Sequence, residues 1–198
     1  MVRNAEDIEL IQSFIEESET NLPDVEKQLE VLRNYEFSQP FELLEYISFM
    51  SARDVMEYKE ALRVINRYVH TIKGSAAFMN LMNVKQYCHE LEELTVALTN
   101  GQIYLDGEAF SIIERLPSLL TRFFEKISEQ FDDSELDIEQ ELIDITQCVQ
   151  RIRAEVGEVK IHLDEIQNKD FGLVRQTKKN IKVSIGLEVY DEMVGDYQ

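Results

Sequence analysis

Hydrophobic positions recur along most of this chain at alternating steps of three and four residues, the period that lays one apolar stripe down an α-helix. Ile11, Ile15, Ser18, Leu22, Val25, Leu29 and Leu32 draw the first stripe. Pro23 stands inside it. A proline removes a backbone donor and crowds the carbonyl four residues earlier, here that of Glu19, so the spacing predicts a kink or two shorter helices meeting near Asn21. Leu62, Ile65, Val69, Ile72, Ala76 and Met79 form a second stripe, and Val84, Tyr87, Leu91, Leu94 and Leu98 a third. Asn100 and Gly101 supply a left-handed stop for that helix. Asp106 caps a fourth, lined by Phe110, Ile113, Leu116, Leu120, Phe124, Ile127 and Phe131 and bent at Pro117. The fifth starts behind Ser134 as N-cap and carries Ile138, Leu142, Ile145, Val149, Ile152, Val156, Val159, Leu163 and Ile166 in strict alternation. At 1.5 Å per residue its roughly 35 residues, four heptads among them, reach roughly 50 Å, longer than a compact bundle covers. Part of it therefore needs another partner, either the tail or a second copy of itself.

Two segments break the helical pattern. Residues 34–52, with Pro40 and a dense aromatic and aliphatic set, read as a loop with a short helix over one end of the core. In the tail, Ile181, Val183, Ile185, Leu187 and Val189 alternate with Lys182, Ser184, Gly186 and Glu188, a period of two that suggests a strand. The pattern thus predicts an all-α protein. An antiparallel four-helix bundle occupies 1–131, a long heptad-patterned helix 132–169, and a tail or linker of strand-like alternation 170–198.

Composition narrows the partners. Only 7 Gly and 3 Pro leave little material for the turns of a sandwich or barrel, or for loops that cradle nucleotide phosphates. Lys and Arg number 20 against 39 Asp and Glu, and the net charge of -19 repels phosphate backbones and anionic headgroups, which argues against nucleic acid and membrane surfaces. The opening MVRNAEDIEL carries acidic residues where a signal peptide carries an apolar core, and no apolar run approaches the length of a membrane span. A cytoplasmic protein is expected. Cys88 and Cys148 fall in no CxxC motif, which fits reduced, packing cysteines better than a disulfide or zinc site. The Met and aromatic side chains, Phe78 and Met79 among them, read as core.

Chemistry concentrates at His70, in the string HTIKGSA. Lys73 and Gly74 follow three and four positions later, on the same helix face, at the flank of the buried stripe. An imidazole beside an ammonium is disfavoured as a cation but suits a nucleophile that must be neutral and then carry an anion. Gly74 costs a mid-helix position about 1 kcal/mol relative to Ala. A partner's close approach would account for it, and Ser75 and Ala77 keep the neighbourhood small. His89 and Glu92 form a second pair, three apart on the next helix. A short turn near 80–83 makes the two helices antiparallel and brings His70 level with His89 and Glu92. A carboxylate accepting from Nδ1–H would leave the Nε2 lone pair facing solvent, the preparation a phosphoryl acceptor needs. Plainer readings compete: a solvated flank for His70 and Lys73, and an i,i+3 surface pair for His89 and Glu92. His162 has no companion. A di-iron bundle needs Glu-x-x-His on two helices and two further Glu, whereas the His-x-x-Glu at His89 and Glu92 runs in reverse, so neither a metal nor any other cofactor is expected.

With these residues in view, the sequence resembles histidine phosphotransfer (HPt) domains, and within them the amino-terminal phosphotransfer domain of chemotaxis-type (CheA-type) histidine kinases. The resemblance rests on H-x-(I/L)-K-G-(S/A/G)-(S/A) at His70 to Ala76, and on His89 nineteen residues later with Glu92 three further on. It covers roughly residues 5–131. The segment FIEESETNLPDVEKQLEVL is similar to the family's first helix, and IKVSIGLEVYDEMVGDY more faintly to the segment leading into the kinases' dimerisation helices. It implies that His70 is phosphorylated at Nε2 and that Glu92 holds its other ring nitrogen. It further implies that Lys73 and His89 complete the network and that Gly74 admits the partner. The partners it implies are a histidine kinase catalytic domain and a response-regulator receiver. The chain departs from the family in its long 34–58 connection, in Pro23, and in AAFMN after the motif. It shows neither the asparagine-rich nor the glycine-rich box of an ATP-binding kinase domain, so a phosphoryl carrier rather than an enzyme is expected, either free-standing or as the amino-terminal part of a histidine kinase. The alternative is a helical adaptor that keeps the fold and docks partners, or itself, through the fifth helix.

Overall fold

The structure, a computed structural model, describes residues 4–35, 52–100 and 102–167. Among these the chain forms α1 (Ala5–Leu32), a 3-10 turn (Arg33–Tyr35), α2 (Ala52–Phe78), α3 (Met82–Thr99), α4 (Gly107–Glu114), α5 (Leu116–Gln130) and α6 (Glu139–Gln167). The described elements are all helical, as the periodicity predicts. Every member of the first three stripes is buried, and so are Phe110, Ile113, Leu116, Leu120, Phe124 and Ile127 of the fourth. Helix α1 packs on α2 and α5, and α2 packs on α3. Edge-on ring pairs, Phe14 with Phe124 and Tyr87 with Phe123, each 5.5 Å between centroids, join α5 to α1 and α3. Both cysteines are free and buried in this core.

The helix ends differ from expectation in ways that local chemistry explains. Asn4 and Asp7 close a capping box at the start of α1. The helix then runs through Pro23 as one element and not as two shorter helices. Leu22 and Val25 stay buried on either side of the proline, and the Tyr68 hydroxyl of α2 donates to the Ser18 carbonyl at 3.0 Å, so tertiary packing carries the helix past the missing bond. Pro117 does the opposite. The single bent helix expected there is two, meeting at Arg115, with the proline in the first turn of α5, where its missing N–H costs nothing. Asp106 caps α4 as predicted, its Oδ1 accepting from the Ala109 amide at 2.8 Å. Asn100, with φ of -85°, is not left-handed, and Gly101, the other residue of the expected stop, lies outside the described residues. The left-handed non-glycine residues among those described are Asn80, in the turn between α2 and α3, and Phe131, after α5.

Nor does the last helix start behind Ser134; α6 begins at Glu139. The intervening segment is occupied otherwise. The Asp133 carboxylate accepts from the Asn83 and Val84 amides at 2.6 and 3.0 Å, and Asn83 Nδ2 donates to the carbonyls of Asp133 and Leu136. Leu81, the residue in the N-cap position of α3, offers no side-chain bond, so an aspartate fifty residues away satisfies that helix's first donors. Leu136, Ile138, Ile145, Cys148 and Ile152 join the core, which thereby extends into α6. The 36–51 segment and the strand-patterned tail lie outside the described residues. No described helix is long and apolar enough to cross a membrane.

Candidate functional site

The residues singled out at His70 lie on α2, and those at Glu92 on α3, the two helices joined by the turn at Met79–Leu81. The stripe Leu62, Ile65, Val69, Ile72 is buried against its counterpart on α3. Residues one step round the helix from that stripe, His70 and Lys73, therefore emerge at the edge of the interface. Glu92 occupies the same edge on α3, one step round from Leu91.

There the Glu92 carboxylate joins two groups of α2. Its Oε1 lies 2.8 Å from His70 Nδ1, and its Oε2 pairs with Lys73 Nζ. The Glu92 side chain is only 16% exposed, whereas that of His70 is 64% exposed. Burial pushes the Glu92 carboxyl up, but the bonds from Lys73 and His70 outweigh it and hold the group below the usual glutamate range. An ionised carboxylate can only accept, so Nδ1 of a neutral His70 carries the proton and Nε2 carries the lone pair. Nε2 has no protein partner among the described residues and faces solvent. The result is a neutral nucleophilic nitrogen, fixed in direction, beside an ammonium that can compensate a newly arrived anion.

His89 is exposed, and no hydrogen bond or ion pair ties it to His70, Lys73 or Glu92. Gly74 is exposed too, one turn beyond His70, and a Cβ there would meet nothing within 4 Å. Packing among the described residues therefore gives no reason for glycine at this position. Ser75 is half-buried, lining grooves on the α1 side of α2, and Ala77 is exposed. No cluster of His, Cys, Asp and Glu among the described residues is arranged to hold a metal ion.

Two groups of residues at the site escaped the sequence reading. Phe78 was expected in the core with Met79; Met79 is buried, but Phe78 is 80% exposed. The reason is helical phase: Phe78 follows Gly74 by four and His70 by eight, on the exposed face, while Met79 continues the stripe of Ile72 and Ala76. Phe78 lines a shallow groove with Leu10, Ser13 and Gly74, and Leu10 is itself 44% exposed. The other group is Asn66 and Thr95, whose side chains bond to each other one turn from His70 and Glu92. A threonine between Leu94 and Leu98, in the apolar stripe of α3, is the signal that could have found it.

The family model of the Hpt domain matches residues 9–126, more than half of the chain. The fold is similar to that in the crystal structure of the phosphorylated P1 domain of CheA3 in complex with CheY6 from R. sphaeroides. The TM-score is 0.54 and the identity 19%, over 73% of this chain and 98% of that one. No curated protein sequence matches the chain. Because the matched span runs from α1 into α5 and holds His70, Lys73 and Glu92 together, the chain belongs to the Hpt domain family.

Proposed function

We propose that His70 is the phosphoryl acceptor of a phosphorelay, loaded by a histidine kinase catalytic domain and unloaded by the aspartate of a response-regulator receiver. The observation that carries this reading is the 2.8 Å contact of Nδ1 with Glu92, beside an Nε2 that has no partner among the described residues. The Nε2 lone pair attacks the donor's terminal phosphorus, the bond from phosphorus to the leaving oxygen breaks, and the Nδ1 proton stays shared with Glu92. Lys73 faces the incoming negative charge. In the second transfer an aspartate oxygen of the receiver attacks the same phosphorus and the N–P bond breaks, returning His70 to its neutral form. On this reading the chain carries phosphoryl groups and does not phosphorylate itself, whether it stands free or forms the amino-terminal part of a histidine kinase, and it acts in the cytoplasm.

The partner's landing site follows from Gly74, Ser75 and Ala77, small residues on the His70 side of α2. The open space at the Gly74 Cβ position leaves room for another protein's backbone, and the exposed Leu10 and Phe78 offer apolar contact beside it. CheY6 is the partner of the CheA3 domain in the crystal structure named above, which supports a receiver as occupant here.

Incubation with phosphoramidate or an active chemotaxis-type kinase tests the reading. The chain should acquire an acid-labile, base-stable phosphate that a receiver domain then removes. His70→Gln should abolish labelling, with helicity and melting temperature nearly unchanged because the ring is mostly exposed. Normal labelling of that variant would overturn the assignment, and a wild-type chain that never labels would return the protein to the adaptor reading.

A further inference from the structure

We infer that Asn66 and Thr95 are positioning residues, a polar pin that sets the register of α2 against α3 and so holds Glu92 on His70. The inference deepens the phosphotransfer reading of that pair and rests on it. Asn66 Nδ2 donates to Thr95 Oγ1 at 2.9 Å, and Thr95 Oγ1 donates to the main-chain carbonyl of Glu92 at 3.0 Å. A hydroxyl has one hydrogen. Committed to Glu92, it obliges Asn66 to present its amide N–H and not its oxygen. The three groups thus have one arrangement. It ties the side chain of α2 to the backbone of the residue whose carboxylate receives His70.

Thr95 is fully buried, and so are the apolar Leu62 and Ile65 of α2 and Leu91, Leu94 and Leu98 of α3. Apolar contacts stabilise the pairing of the helices, but they are non-directional and tolerate small slips. A directional bond in the same interface does not. From Asn66 to His70 is one turn along α2, and from Thr95 to Glu92 is one turn back along α3, so pin and site are successive rungs of one antiparallel ladder. A slip of one residue moves a helix by about 1.5 Å and turns its side chains by about 100°, more than a 2.8 Å hydrogen bond survives. Polar groups buried among apolar ones are known to select register in paired helices. Here the register is what the chemistry requires.

The test uses the full chain labelled with nitrogen-15. Thr95→Val keeps a similar shape and removes both bonds. We expect the His70 ring nitrogen shifts to move away from the Nδ1–H form and the rate of phosphorylation by phosphoramidate to fall about tenfold, the scale of a small misplacement of a reacting group. Thr95→Ser retains the hydroxyl and should restore both. Asn66→Ala, at a half-buried position, should reproduce the shift change and supplies the same readout should Thr95→Val not fold. Wild-type nitrogen shifts in both Thr95→Val and Asn66→Ala would overturn the inference. Altered shifts in a protein whose wild type takes no phosphate would support the pin and sink the function proposed above, because the shifts report geometry without any transfer.

Discussion

Two clusters of charge in this molecule use similar groups to opposite ends. On α4 and α6, Arg151 sits at the centre: Nε donates to Glu108 at 2.9 Å, Nη1 to Glu155 at 2.9 Å, and Nη2 to Asp106. Tyr104 donates to the second oxygen of Glu155 at 2.6 Å, while Asp106 spends its other oxygen on the α4 cap. Burial works against charge on Arg151, yet Asp106 and Glu155 hold it more firmly protonated than usual. At the α2–α3 edge the centre is an acid, Glu92, with an imidazole and an ammonium around it. The first cluster closes on itself, with every side-chain nitrogen of the guanidinium engaged. The second ends in a free Nε2 on a mostly exposed ring. A saturated network ties elements together. One that ends in an unsatisfied, aimed nitrogen is organised to react, and the same carboxylate chemistry serves both.

That contrast can be broken most sharply at Glu92. Glu92→Gln keeps the size and an acceptor oxygen but removes the charge, and phosphorylation should slow by about one to two orders of magnitude, the usual loss of an assisting group. Its melting temperature should move little. A rapid-quench rate equal to wild type would make the Glu92 cluster as structural as that of Arg151. The reverse holds for Arg151→Met, which leaves Asp106, Glu108 and Glu155 facing one another. Discounted for the partial exposure of the guanidinium, the loss should be about 1–3 kcal/mol in a urea titration, with the phosphoramidate rate of the folded protein unchanged.

A subtler probe is Gly74→Ala. Its new methyl meets nothing among the described residues, so helix propensity should stabilise the fold by up to about 1 kcal/mol. Phosphorylation by phosphoramidate should persist while transfer to a receiver domain slows, and equal transfer would remove Gly74 from the landing site. The smallest effect is in pH. The folded-state pKa of Glu92 lies below its unfolded value, so its stabilisation is complete above the ordinary glutamate range and is lost as pH falls through the lower, folded value. The Glu92 carboxyl carbon should titrate below that range in wild type and return to it in Lys73→Ala, where the largest favourable partner is gone. An unchanged midpoint in that variant would show that Lys73 does not hold the carboxylate.

Much of this protein was legible in one dimension because burial and helical period are coupled: a residue every three or four positions must be apolar if one face is to leave water. That coupling placed the stripes of α1, α2 and α3 residue by residue, and with them the edge positions of His70, Lys73 and Glu92. It has no means of placing what depends on contacts between distant segments. Pro23 and Pro117 carry the same local preference, but one lies inside a helix held by Tyr68 and Leu22 and the other begins a helix. Asp133 became the cap of α3 only because α5 delivers it there, which moved the start of α6 to Glu139. Phe78 looked apolar and therefore internal, although its phase on α2 sends it outward beside Gly74. The sequence by itself determined which side chains line the helix pair and which chemistry they bring. Only the tertiary structure decided that Glu92 reaches His70 and Lys73 together while His89 reaches neither, since a carboxylate's two oxygens are assigned by register and rotamer across two helices, and no periodicity along one of them contains that information.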